Sequence, residues 1–342
     1  MSVCLCLDSA EKLLDAMALG LMRRGERVEA FHLKECVTTK KEVKRALSLL
    51  PRMEEPLQLL VADQDARGNR QGIKGHVWSG YLPNGALIQV AEGVFVASPE
   101  FNALLAMGKS TWLHRPQVLM SSCGIFAIDD SSEDGFVRRP PVTIIKRLSE
   151  FAVSMPKCHR TRAMLDALAL TAERARSPME AKLVLPLIVP RDKGGFGFEK
   201  PELNAPIRLS SEGRAIWGKD VVDGDLLWRL IKKLLEYNGR LRHEGKLGTD
   251  LTRAAALEAS GYDVRIVTYE QMKSARQMLQ VGRWLAEGMG ISTDSLPERK
   301  ALQPILTDVL AYEHPRFVLP KPEEVPAATG VALEGGVWAE AS

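Results

Sequence analysis

The sequence predicts an α+β protein in two parts. A mixed α/β N-terminal domain comes first, and a second domain follows whose mixed sheet is flanked by helices. Three observations carry that reading. The chain has 342 residues, more than one domain usually holds. Short strand-like apolar runs and runs at helical spacing follow one another along it. Residues 223–268 read in order as strand, strand, loop, helix and strand.

In the N-terminal part, Ser9 is placed to cap a helix reaching about Arg24, with Leu13, Leu14, Met17, Leu21 and Met22 near helical spacing. A second helix is expected over Lys40–Leu50, stopped by Pro51. Residues 57–63 and the two runs within 86–98 read as strands. Ser98-Pro99-Glu100 is a helix start, with serine as cap and proline in the first turn. Thr143 opens a helix to about Met155. His76-Val-Trp78 and Tyr81–Gly85 read as strand and turn, because Asn84-Gly85 is a hairpin signal. This domain is expected to span 1–156. A connecting helix follows over 157–174, then the second domain over 175–290. A short helix and a disordered tail are expected over 291–342, since residues beyond Pro315 are rich in Pro, Ala, Glu and Gly.

Composition narrows the class. Apolar residues make up 45% and charged residues 26%, as in ordinary globular proteins. No apolar run approaches the roughly 20 residues of a membrane span, and the first residues lack a basic leader. A cytoplasmic location is therefore expected. Five cysteines without a CxxC pair point to reduced thiols rather than a zinc site or disulfide framework. The net charge of +3 hides an asymmetry: residues 151–290 hold 23 Lys and Arg against 17 Asp and Glu. That surplus, of the kind a phosphate-binding surface needs, coincides with the second domain.

The chemistry is expected in that domain. Ser177-Pro178-Met179-Glu180 forms a capping box before the apolar run Leu183–Val189. Glu180 is thus either a cap or a carboxylate aimed at the sheet. Asp225, in Gly-Asp-Leu-Leu-Trp, and Glu236, in Leu-Leu-Glu-Tyr-Asn-Gly, border neighbouring apolar strands joined by a turn near Lys232-Lys233. Carboxylates there are costly unless they are paired or hold a cation. Two of them converging would suit Mg²⁺ or Mn²⁺ with water completing the coordination, and Asn238 adds a carbonyl. His243 follows on a polar loop and is a candidate proton donor or acceptor. Asp250 and Arg253 share a helix face. Asp250 caps that helix or orients His243. Arg253 pairs with Asp250 or, like Arg240, grips a phosphate. Gly261 ends the helix, YDVRIVT forms a strand, and residues 268–289 form one long closing helix.

Taken in order, the glutamate-bearing helix, Asp-Leu-Leu-Trp, Glu-Tyr-Asn-Gly, His, Asp-x-x-Arg and Gly-Tyr-Asp-Val-Arg resemble the small restriction-endonuclease-like proteins related to very-short-patch-repair endonucleases, within the PD-(D/E)xK nuclease superfamily. The resemblance covers roughly residues 175–290. It implies a mixed central sheet flanked by helices and Mg²⁺-dependent cleavage of DNA, in phage defence or repair. By matched position it implies metal roles for Asp225 and Glu236, a helix carboxylate in Glu180, and catalytic or orienting roles for His243 and Asp250. The chain departs from the pattern at Gly224, Asn238 and Ala254, where the family usually has Pro, Asp and Asp. Asn238 removes a charge, so a DNA-binding regulator that does not cut is the alternative expectation. The first 150 residues are similar to accessory regions preceding such domains in bacterial proteins, some of them like abortive-infection antitoxin regulators, which implies a protein partner for that domain.

Overall fold

A computed structural model describes residues 1–29, 31–68, 70–238 and 244–330. In chain order the strands and helices are β1 (Val3–Leu5), α1 (Leu7–Ala18), β2 (Glu26–Arg27), α2 (Lys40–Ser48), β3 (Leu57–Val61), α3 (Gln64–Arg67), β4 (Ile73–Val77), β5 (Leu87–Ala91), β6 (Val94–Ala97), α4 (Pro99–Met107) and α5 (His114–Cys123). There follow β7 (Phe126–Ile128), β8 (Phe136–Arg138), α6 (Ile145–Ser154), α7 (His159–Leu168), α8 (Pro178–Ile188), β9 (Glu202–Arg208), α9 (Ser211–Trp217) and β10 (Val221–Trp228). The last are β11 (Lys233–Asn238), α10 (Glu244–Ala259), β12 (Asp263–Thr268), α11 (Tyr269–Met272), α12 (Ala275–Met289) and α13 (Arg299–Ala311). The fold class is α+β, with mixed sheets and flanking helices, as the residue patterns imply.

The chain divides into two compact units that interleave in sequence. Unit 1 comprises Met1–Lys109, Ala127–Met164 and Pro315 onward; unit 2 comprises Ser110–Phe126 and Leu165–His314. The expected boundary near residue 156 therefore gives way to a division that returns each unit to the chain more than once. Helix α5 belongs with unit 2, where it packs on α8 and where Gln117 donates to the Val309 carbonyl. Residues 315–330, expected to be disordered, pack in unit 1. Phe317 and Leu319 are buried, Asp130 N–H donates to the Phe317 carbonyl, and Leu319 N–H donates to Asp129 Oδ1.

Unit 1 is built on a six-stranded mixed sheet in the order β2-β5-β6-β1-β3-β4. β1 runs parallel to β6 and antiparallel to β3, and β3 runs parallel to β4. Leu5, Leu13, Leu59, Leu60, Val96, Phe101 and Leu104 are almost wholly inaccessible and make its core. Ser98 and Pro99 start α4 as expected, with Ser98 Oγ accepting from Phe101 N–H. Ser9 does not cap α1. The helix starts three residues earlier, behind Cys6, and the Ser9 hydroxyl accepts from the Gln58 backbone N–H of β3 instead.

Unit 2 holds a four-stranded sheet, β12-β11-β10-β9, antiparallel except for the parallel β11–β12 pair. One face buries Ile207, Leu209, Val222, Leu227 and Leu234 with Ala256 and Leu257 of α10. Three expectations change here. The helix carrying Asp250 and Arg253 begins at Glu244, so neither Thr249 nor Asp250 caps it. The closing helix is two helices, because the Ser274 hydroxyl accepts from Gln277 N–H and restarts the chain as α12. The connecting helix ends at Leu168 rather than near Arg174, which has φ +69°.

Gly282 of α12 marks where the packing is tightest. A Cβ there would stand 1.9 Å from the Phe196 ring, and Phe196 is fully buried. Gly282→Ala is expected to cost about 2–3 kcal/mol by overpacking, read as a lower midpoint in urea or thermal unfolding. Unchanged stability would contradict this packing.

Candidate functional site

The ladder between β10 and β11 joins Leu226 to Leu235, Leu227 to Leu234 and Trp228 to Lys233. Beyond Leu226 the backbone pairing stops, and two carboxylates take up the freed amides. Asp225 N–H donates to Glu236 Oε1 at 3.3 Å, and Tyr237 N–H donates to Asp225 Oδ2 at 2.9 Å. The two acids therefore converge where the strands part, as the sequence led one to expect. The turn joining these strands runs through Lys232, at φ +50°.

Arg253 of α10 closes this pair from the helix side. Its Nη1 lies 2.6 Å from Glu236 Oε2, its Nη2 lies 3.1 Å from Glu236 Oε1, and the same Nη2 also donates to the Asp223 carbonyl. Asp225 Oδ1 is 3.9 Å away. A two-point guanidinium–carboxylate bond fixes orientation as well as charge. Arg253 is thus engaged by the Glu236 carboxylate.

Ser177 caps α8 as expected, and Glu180 takes part in that cap. Its backbone N–H donates to the Ser177 hydroxyl at 3.2 Å, and its carboxylate accepts from Ser177 Oγ and from Arg176 N–H. The same carboxylate accepts from Asn204 Nδ2 at 2.6 Å and lies within the field of Asp225. Burial first, then the Asp225 charge, pushes Glu180 up to about 7. The same two causes push Glu236 up to about 8 against the opposing pull of Arg253.

Sequence reasoning missed two participants. Asn204 of β9 is wholly inaccessible, donates to the Arg174 carbonyl and to Glu180, and leaves its Oδ1 without a partner. Its φ of +48° suits asparagine better than most side chains. Asp223 supplies a carbonyl to Arg253 and a carboxylate to Arg176. The Asp-Gly-Asp spacing of 223 and 225 was the available signal for Asp223. Nothing in the sequence marks Asn204, because its role depends on a strand pairing some twenty residues away.

The donor set suits a cation held by two carboxylates with water, the pattern Mg²⁺ favours. It does not suit a three-carboxylate cage: among the described residues, no three His, Cys, Asp or Glu side chains lie close enough to hold a metal ion. Asn238 lies two residues beyond Glu236 on β11, half-buried and paired with Thr268 of β12. Asp250 lies on α10, but its side chain, like Arg240 and His243 as whole residues, falls outside what is described. Among the described residues, no helix is long and apolar enough to cross a membrane. No protein-family model matches this chain, and neither a curated protein nor a solved structure matches it.

Proposed function

We propose that unit 2 is a metal-dependent phosphodiester hydrolase acting on DNA. The observation that supports it is the meeting of Asp225 and Glu236 where β10 and β11 part, beside buried Glu180, with the Asp225 charge raising both glutamates. Such a crowding of acids is offset by basic groups, by protons or by a cation. Asp225 and Glu236 would hold a divalent ion, which when bound would acidify a water and offset charge on the phosphate. In this reading the Tyr237 amide fixes the Asp225 carboxylate. Arg253 keeps Glu236 oriented, and Ser177, Arg176 and Asn204 orient Glu180. His243 handles the proton of the attacking or leaving oxygen, and Asp250 orients it.

The test is incubation of the whole protein with supercoiled, linear and single-stranded DNA, with Mg²⁺ or Mn²⁺ and with chelator. Cleavage is expected only with metal. Asp225→Ala and Glu236→Ala are each expected to reduce it by about a thousandfold, the scale of losing charge stabilisation at the reacting phosphate. Intact DNA under every condition rejects the reading for those substrates. One observation favours a second reading, a regulator that binds DNA without cutting it. Both Glu236 oxygens are already taken by Arg253, and Asn238 lowers the charge nearby. Cleavage appearing only in Asn238→Asp identifies a decayed nuclease.

A further inference from the structure

Lys74, His76 and Trp78 take no part in the carboxylate cluster. They lie on and just beyond β4, the outermost strand of the unit 1 sheet. They alternate along the chain, so they leave the sheet on one side. β4 pairs with β3 through Gln58↔Lys74 and Leu60↔His76. His76 Nε2 lies 2.5 Å from Gln58 Oε1. Lys109, just past the end of α4, brings its ammonium to 3.3 Å from the same ring nitrogen. Arg160, at the start of α7, lays its guanidinium over the Trp78 ring, 5.6 Å from the centroid, and donates to the Leu105 carbonyl at 3.0 Å. Trp78 is itself fixed, edge-on to Phe101 at 5.1 Å and donating to the Tyr81 carbonyl.

Three cations are therefore gathered around one half-buried imidazole, and two of them are held in place. Among the described residues, none of Lys74, Lys109 and Arg160 has a carboxylate within ion-pairing distance. The acidic groups whose fields reach Lys109 are Cys6 and then Asp8, whose carboxylate accepts from Gln58 Nε2. Burial, then Lys109, Lys74, Arg67 and Arg160, pulls His76 down to about 4, so the ring stays neutral and adds no like charge. Basic residues that merely keep a surface solvated are spread out and mobile. Here a guanidinium sits over an indole ring and a lysine is set against a ring nitrogen, and among the described residues neither has a carboxylate within ion-pairing distance. Arginine held flat on an aromatic ring keeps a guanidinium edge for a phosphate. An exposed sheet edge offers a track rather than an enclosed pocket.

We propose that this face of unit 1 binds the phosphodiester backbone of a nucleic acid strand, with Lys74, Lys109 and Arg160 meeting its phosphates. The phosphate chemistry follows from these residues alone; the choice of nucleic acid rests on the DNA reading of unit 2. The test is fluorescence anisotropy of labelled single- and double-stranded oligonucleotides with the full chain, in chelator so that nothing is cut, over a range of salt. Lys74→Glu/Lys109→Glu is expected to weaken binding about tenfold or more at low salt and to lower the salt slope by about 2. Lys146→Glu/Lys300→Glu, matched in charge change, is the control, and circular dichroism melting checks that both variants fold. Arg160→Ala is expected to weaken binding as well. The proposal is overturned if the wild type binds neither oligonucleotide, if the test and control variants bind alike, or if millimolar inorganic phosphate displaces the oligonucleotide, which would mark a small-anion site. Binding without cleavage keeps this proposal and rejects the hydrolase. Cleavage with unchanged affinity in Lys74→Glu/Lys109→Glu does the reverse.

Discussion

Asp225→Asn is expected to be more stable than the wild type at about pH 8 in chelator, while losing hydrolysis. After burial, the Asp225 charge is the largest cause raising both Glu180 and Glu236. Asparagine removes that charge and keeps an oxygen for the Tyr237 amide. In the folded chain the two glutamates hold protons up to about 7 and about 8, whereas an unfolded glutamate releases its proton near 4.5. Their folding contribution is therefore least unfavourable at or below the ordinary carboxylate range, and stability falls as pH rises toward 8. Neutralising Asp225 is expected to recover on the order of 2 kcal/mol at the upper end, roughly 5 °C for a unit of this size. Melting curves between about pH 5 and about pH 8 read this directly. In the wild type, Mg²⁺ is expected to raise the melting temperature more at the higher pH, and in the variant to leave it unmoved. A variant that melts lower than the wild type at about pH 8 would falsify the coupling. More stability with less activity is the usual signature of a site kept under charge stress.

Arg253→Ala is the second large effect. The side chain gives two bonds to Glu236 and one to the Asp223 carbonyl. Breaking a buried pair by removing one partner typically costs 3–5 kcal/mol, and partial exposure of the guanidinium brings the expectation down to about 2–3 kcal/mol. The loss depends on pH in a direction opposite to that of an ordinary surface pair at neutrality. Glu236 ionises only as pH rises through about 8, so the gap between wild type and variant widens from about pH 6 to about pH 9. Arg253→Lys is expected to recover little, because an ammonium cannot span both carboxylate oxygens and a carbonyl. Chemical denaturation at the two pH values checks this, and an equal loss at both contradicts it.

The carboxylate pair was readable because the strands that carry it are apolar runs broken by single acids, a pattern that marks both a buried sheet and the exceptions within it. Gly261 ending α10 and Ser98-Pro99 starting α4 were readable for the same local reason. What escaped were outcomes decided by distant partners. Ser9 has the chemistry of a cap, yet Gln58 of β3 claims its hydroxyl. The Lys273-Ser274 break is set by a serine that suits a helix interior poorly and a cap well. Arg253 had a carboxylate three residues before it on its own helix, and only the fold shows that Glu236 of β11 binds it. Asn204 is silent in sequence because a lone buried amide has no periodic signature. His243 and Arg240 lie outside the described residues, so their expected roles rest on the chain order alone.

The interleaving of the two units has a consequence for how this protein can be divided or inherited. A gene fragment ending at 314 carries all of the strands yet deprives the first unit of Phe317 and Leu319. One starting at 175 deprives the second of α5. Neither half travels as a self-contained cassette. Recombination that exchanges one unit for another must therefore cut at several places at once, which ties the lineage of the two halves together.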